Sequence, residues 1–273
     1  MPGMTVSTID VGDVRLHRVG YAEVDLPPET FGYTADEVRA VEWADPVWAN
    51  AGQVRAAAAA WIIESESARI VVDPALAADD LLRNDNDAAL HQEAFAALLA
   101  GVGLPRESIT HAVGTHIEGI GMFAWRNDDG AWAPFFPNAR LMYSQRELDA
   151  LDRGELFEDG RILKQLREQG AVTATADDEQ LTNEVSLRFT GAHSPGHQVV
   201  RIDSNDEHAT VLGHLAVVPL QLATGPCESL NMDPDAAWQR LVELRDEGTL
   251  LIGPLWPAPG AGRWVNDRLI GAR

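Results

Sequence analysis

The sequence predicts an α/β protein, a sandwich of sheets covered by helices, and three observations lead there. Each half of the chain runs through strand-type segments and then through amphipathic helical ones. The helical stretches end on Gly or Pro, and the strand runs are bounded by turn residues. Hydrophobic residues make up 45% of the 273, enough for a substantial core.

Residues 11–19 alternate apolar and polar side chains, the pattern of a strand with one buried face. The next stretch, 21–53, is rich in Pro, Asp, Glu and Trp, with one short helix expected at 35–43; it reads as an arm or lid on a single domain spanning 1–273. Residues 54–64 and 69–72 are apolar β-type runs separated by Ser65-Glu66-Ser67, a hairpin that Asp73-Pro74 closes. Apolar residues at helical spacing over 90–100, followed by Gly101 and Pro105, predict a helix and its stop. Residues 109–113 then form a short strand that runs into Gly114-Thr115-His116. The first residues able to do chemistry therefore stand at a strand's C-terminal end, where α/β folds place their sites.

Residues 140–143 predict the next strand, with Ser144 capping a helix over 145–151, and a second helix is expected over 159–169, ended by Gly170. The pattern then turns to short strands at 172–175, 185–190, 198–203 and 209–212. A helix over 234–247 follows, with Asp233 as its cap and Pro234 at its first position. Residues 250–252 are expected as the final strand.

Charge and cysteine count narrow the function. The 42 acidic residues outnumber 21 basic ones, for a formal charge of −21. Phosphate binding needs a cationic face, so nucleic acid is not an expected partner, and an anionic membrane surface would repel this chain. No window approaches the run of about 18 apolar residues that a membrane span requires. The first residues lack the basic and continuous apolar regions of a secretion signal. The lone Cys227 rules out an intramolecular disulfide and a multi-cysteine metal site, and it has no His or acidic partner at a spacing that would make it a nucleophile. A cytoplasmic protein acting on a small molecule is the expectation.

Five separated segments resemble the metallo-β-lactamase superfamily, particularly its broad group of bacterial hydrolases. Thr115-His116-Ile117-Glu118-Gly119-Ile120-Gly121 lies where that superfamily carries T-H-x-H-x-D-H. Phe136-Pro137-Asn138-Ala139-Arg140, with Ser144-Gln145-Arg146-Glu147 after it, resembles F-P-N-A-x followed by S-x-x-E. Gly191-Ala192-His193-Ser194-Pro195-Gly196-His197 resembles P-G-H-T-P-G-H, and Leu212-Gly213-His214 takes the place of its G-D. Leu255-Trp256-Pro257-Ala258-Pro259-Gly260 resembles the terminal H-x-P-x-P-G. The resemblance implies an αββα sandwich of the metallo-β-lactamase type, two mixed sheets flanked by helices.

It also implies a metal site that this chain has edited. Of the superfamily's seven usual ligands, His116 and His193 are kept; Glu118 stands for His, Ile120 for Asp, Gly121 for His, His214 for Asp and Leu255 for His. The second-metal positions Ile120, Gly121 and Leu255 hold no side-chain donor. His116, Glu118 and His193 are an adequate first shell for one divalent ion, zinc foremost, with His214 as a fourth ligand or a nearby general base. Glu118 and His214 are the candidate catalytic groups. Asp73 and His197 are candidates for orienting the ligands from behind, each with a plain structural role as the alternative.

Met122, Phe123 and Trp125 directly follow the edited motif and are expected to line an apolar substrate pocket, whereas Trp61 and Phe136 read as core. The leading reading is an atypical hydrolase of a small apolar or aromatic ester, lactone or other activated bond. A metal-free polar cluster of Glu118, His193 and His214 is a second form of it. The alternatives are a non-catalytic subunit, a pseudoenzyme paired with an intact paralogue, and a small-molecule binding protein. In either role the chain is expected to act as a homo-oligomer or with a paralogue.

Overall fold

Alternation along one long strand shows how both faces of a sheet come to be buried. In Gln53–Ser65, Trp61 and Ile63 point to one side while Ala60 and Ile62 point to the other, and all four are buried. The computed structural model of the chain describes residues 5–66, 68–74, 85–118, 121–127, 129–156 and 160–272. Among these, eight strands form a first mixed sheet: β1 (Thr5–Val11), β2 (Val14–Leu26), β3 (Ala49–Asn50), β4 (Gln53–Ser65), β5 (Ala68–Val72), β6 (His111–Val113), β9 (Arg140–Ser144) and β10 (Val172–Thr175). The order is β1-β2-β4-β5-β6-β9-β10, with β3 paired to β4; β5, β6, β9 and β10 run parallel and the rest antiparallel.

The second sheet is β11 (Asp178–Gln180), β12 (Val185–Phe189), β13 (Gln198–Ser204), β14 (Glu207–Val211), β15 (Leu250–Ile252), β16 (Ala261–Val265) and β17 (Arg268–Gly271), in chain order across the sheet. Only β14 and β15 pair in parallel, joined by the helix that crosses over between them. A two-stranded ribbon, β7 (Ala124–Arg126) with β8 (Trp132–Pro134), stands apart.

Three apolar layers hold the sandwich together. Leu16, Trp61, Ile63, Ile70 and Val72 of the first sheet meet Val185, Leu187, Val200, Ile202 and Ile252 of the second. The outer face of the first sheet is covered by α2 (Asp85–Gly101), α3 (Gln145–Arg153) and α4 (Arg161–Glu168), through Phe95, Leu99, Leu148, Leu151, Leu163 and Leu166. The outer face of the second is covered by α5 (Gln221–Thr224) and α6 (Pro234–Asp246), and by the segment that contains α1 (Ala35–Ala40). That segment buries Phe31, Val38, Val41, Ala44 and Trp48 in the same layer as Leu222, Leu241 and Trp256. Helix, sheet, sheet, helix is the expected architecture.

Two expectations about strands are corrected. The strand read over 11–19 is split by a two-residue turn, Gly12-Asp13, that pairs Val11 with Val14; β2 then runs through Leu26, into the stretch read as an arm. Val11 and Val14 are both apolar, which hid the turn inside an apparent alternation. Residues 250–252 are not the final strand, because β16 and β17 follow as a hairpin. Its turn residues, Asn266 and Asp267, both adopt positive φ, the conformation a tight hairpin of matching twist demands.

Candidate metal centre

Loops that leave the strands at one end of the sandwich carry the site. β5 ends at Asp73, whose φ of 40° is one that Asp tolerates better than most residues. Its carboxylate accepts from the Thr115 N–H at 2.8 Å and from the Thr115 hydroxyl at 2.6 Å. Because that hydroxyl gives its proton to Asp73, it accepts one from His116 Nδ1, 2.9 Å away. The chain Asp73, Thr115, His116 therefore fixes the tautomer of His116 and turns Nε2 toward Glu118, 3.0 Å away. Gly114 lets this loop pass: any Cβ there would run into the ring of Tyr143.

Glu118 gathers the cluster. Its Oε2 lies 3.0 Å from His116 Nε2 and 2.6 Å from His214 Nδ1, and its side chain is 59% exposed, at the mouth. His214, 17% exposed, is presented by the turn after β14. His193 comes from the loop between β12 and β13, its ring centroid 4.7 Å from that of His116 and 5.1 Å from that of His214. One donor atom from each of His116, Glu118, His193 and His214 lies within 4.8 Å of all the others.

The charges in the cluster are strongly coupled. Loss of water on the side that faces the cluster pushes Glu118 upward, yet the hydrogen bonds and charges of His116 and His214 hold it far below the usual carboxylate range. Burial likewise pushes His116 down, but its Glu118 hydrogen bond and the charges of Asp73, Glu118 and Glu147 carry its pKa above the ordinary value. Nδ1 of this ring faces the Thr115 hydroxyl and Nε2 faces Glu118. His193 is pushed down to about 3, first by burial and then by its imidazole neighbours.

Three imidazoles and a carboxylate converging on one point are a donor set suited to a divalent transition metal. The residues present thus fit a metal ion.

His197 is fully buried, and burial drives its pKa well down. The Thr190 hydroxyl donates to the carbonyl of His197, so it accepts from His197 Nδ1 at 2.6 Å. Gly213 packs directly against Thr115 and the His197 ring, leaving no room for a Cβ. Asp73 and His197 both lie behind the four candidate ligands, each reaching them through a threonine or a neighbouring ring.

Met122 and Phe123 are buried in the layer between the first sheet and its helices, Phe123 with its ring 5.6 Å from Tyr143. Trp125 is half-buried in the ribbon, with the Arg106 guanidinium 3.9 Å above its ring. Sequence reasoning missed Glu147. This buried carboxylate on the first turn of α3 accepts from Ile117, Ser194 and Gly196.

No protein-family model matches the sequence, and no curated protein matches it. Solved structures do match, along essentially its whole length. AidC, a dizinc quorum-quenching lactonase in complex with a product, N-hexanoyl-L-homoserine, aligns at TM-score 0.72 and 16% identity, over 99% of this chain and 98% of its own. The hydrolase AbOPH of the β-lactamase superfamily aligns at TM-score 0.73 and 15% identity, over 100% and 99%. This chain has the metallo-β-lactamase fold. A probable metal-dependent hydrolase from Staphylococcus aureus adds a TM-score of 0.68 at 12% identity, over 90% and 91%. At such identities the likeness concerns the fold, and chemistry must be argued from the residues of this chain.

On the metallo-β-lactamase fold, this chain brings His116, Glu118, His193 and His214 together. Of the positions read as having lost their donors, Ile120 lies outside the described residues. Gly121 is buried, and Leu255 packs half-buried in the outer layer of the second sheet, its carbonyl accepting from the Ala57 N–H at 2.9 Å.

Proposed function

We propose that this chain is a hydrolase that opens an ester, lactone or other activated bond in a small apolar or aromatic molecule, using one divalent ion, zinc foremost. The observation that carries the proposal is the convergence of His116, Glu118, His193 and His214 within 4.8 Å. The structural neighbours, a lactonase, a hydrolase and a probable metal-dependent hydrolase, support the reaction class.

His116, Glu118 and His193 would hold the ion, with His214 either as a fourth ligand or, off the ion, as the base. Bound there, it would supply Lewis acidity toward a carbonyl or phosphoryl oxygen and would acidify water. Asp73 and Thr115 hold His116 in the tautomer that presents Nε2. Glu118 reaches both imidazoles through one oxygen, which leaves Oε1 to accept a hydrogen bond from an attacking water and orient it. Off the ion, His214, partly exposed beside Glu118, would take the proton of the attacking water and return it to the leaving group. Met232, 58% exposed, donates its N–H to the carbonyl of His193 at 3.1 Å and offers an apolar contact next to the cluster. Trp125, with Met122 and Phe123 as buried support, is the proposed apolar wall.

The test is turnover of a panel of aryl esters and acyl lactones by the purified chain. Hydrolysis that is lost in both E118Q and H193A supports the proposal. Full activity in both variants would sink it. Silence alone, with activity appearing on mixing with an intact paralogue, would replace it with the role of a non-catalytic subunit.

A further inference from the structure

We propose that Glu147 is the positioning residue of this centre: one buried carboxylate ties the loop that carries His116 to the loop that carries His193, and so sets the separation of the two rings. The inference rests on the reading of the cluster as an ion site and reaches beyond it, to a residue that touches neither ion nor substrate.

Glu147 is 1% exposed. Its Oε1 accepts from the N–H of Ile117 at 2.9 Å, the residue between His116 and Glu118. Its Oε2 accepts from the Ser194 hydroxyl at 2.9 Å and from the Gly196 N–H at 2.7 Å, both within the turn that follows His193. Each oxygen thus serves a different loop. Among the described residues no Lys, Arg or His lies within ion-pair distance of it, and its hydrogen bonds come from three neutral donors, two of them backbone N–H groups.

The helix itself does not need that charge. Ser144 already caps α3, accepting from the Glu147 N–H at 3.1 Å, and its hydroxyl donates to the Gly196 carbonyl at 2.7 Å. The turn is therefore gripped at both the N–H and the carbonyl of Gly196. Gly196 has to be glycine for this approach, since a Cβ would stand 2.7 Å from the Glu147 Cα. Gln198 also joins the two loops from behind, its N–H and side-chain amide donating to the carbonyls of Thr115 and Gly114, but removing the Glu147 grip frees the sides that lead directly out of His116 and His193, whose rings are 4.7 Å apart between centroids.

Glutamine separates positioning from mere filling of space. It keeps the volume of Glu147, but one end becomes an NH₂ that faces backbone or hydroxyl donors, so one of the two loops is released. E147Q is expected to move the ring-nitrogen NMR signals of His116 and His193 in the metal-free, isotope-labelled full chain, while those of His17, His111 and His208 stay in place. It is also expected to weaken Co(II) binding by about tenfold or more and to alter the visible bands of the bound ion. S194A, which removes a single donor and serves if E147Q folds poorly, should move the same two rings by less.

Unchanged ring signals and Co(II) affinity in E147Q would overturn the proposal. So would a uniform shift of all the histidines, which marks a general structural role. If the wild-type chain takes up no Co(II), the ion reading fails, and the histidine spectra of the metal-free chain still decide the role of Glu147.

Discussion

Replacing Gly213 with alanine should cost the protein several kcal/mol and loosen His116 by way of Thr115. The structure gives the reasons separately. Gly213 has φ of +52°, where any L side chain is strained by about 1–2 kcal/mol. An added Cβ would stand 2.7 Å from the Thr115 Cβ, 2.8 Å from His197 Nε2 and nearer still to the Thr115 hydroxyl. Restoring van der Waals separation requires Thr115 to retreat by roughly 1 Å. That hydroxyl donates to Asp73 at 2.6 Å and accepts from His116 at 2.9 Å. Losing the bond to a charged carboxylate costs about 1.5–3 kcal/mol and the second bond about 1 kcal/mol. The expected total is about 3–6 kcal/mol, which in a domain of this size lowers the melting temperature by roughly 10 °C. Thermal unfolding of metal-free G213A beside wild type is the assay, with G101A as the contrast: nothing lies within 4 Å of a Cβ at Gly101, so its effect should stay within about 0.5 kcal/mol. A G213A protein that melts within about 2 °C of wild type would refute the packing argument.

Other outcomes follow from the same contacts. His193 titrates at about 3 in the folded protein against an ordinary 6.5, so the unfolded chain takes up a proton through the intervening range that folded His193 refuses. The share of the metal-free protein's stability that comes from His193 is therefore fully present above about pH 6.5 and drains as pH falls toward about 3. H193Q removes that share, so urea unfolding should show the variant gaining on wild type between about pH 7 and pH 4; parallel curves would count against a buried neutral His193. D73N puts an amide nitrogen opposite one of the two Thr115 donors and should lower unfolding free energy by about 2 kcal/mol, read from urea titration. The same variant should bind zinc about 10–100-fold more weakly by chelator competition, and wild-type affinity would remove Asp73 from the orienting chain.

Strand periodicity and turn residues made most of the sandwich legible, because alternation as in Trp61, Ile62 and Ile63 records directly which face each residue buries. Ser144 and Asp233 were readable as helix caps for an equally local reason. Convergence of His116, Glu118, His193 and His214 is not local, and it became legible only through resemblance of motif order. The hairpin of β16 and β17 was hidden by a strand that begins Ala-Gly, though Asn266-Asp267 is a turn signal that could have found it. Glu147 was hidden differently. Ser-x-x-Glu reads as a capping box, and Ser144 does perform its half, but the Glu147 carboxylate turns away to two loops from elsewhere in the chain. Nothing in a window of a few residues distinguishes those two uses of one glutamate.

The central claim is a centre for one ion, built from His116, Glu118, His193 and His214. Its most direct test is the zinc content per chain after the metal-free protein has been dialysed to equilibrium against zinc. The account predicts about one ion per chain, falling to near zero when E118A and H193A are combined. Two ions per chain, or one that survives the double substitution, would contradict it, as would a chain that retains none.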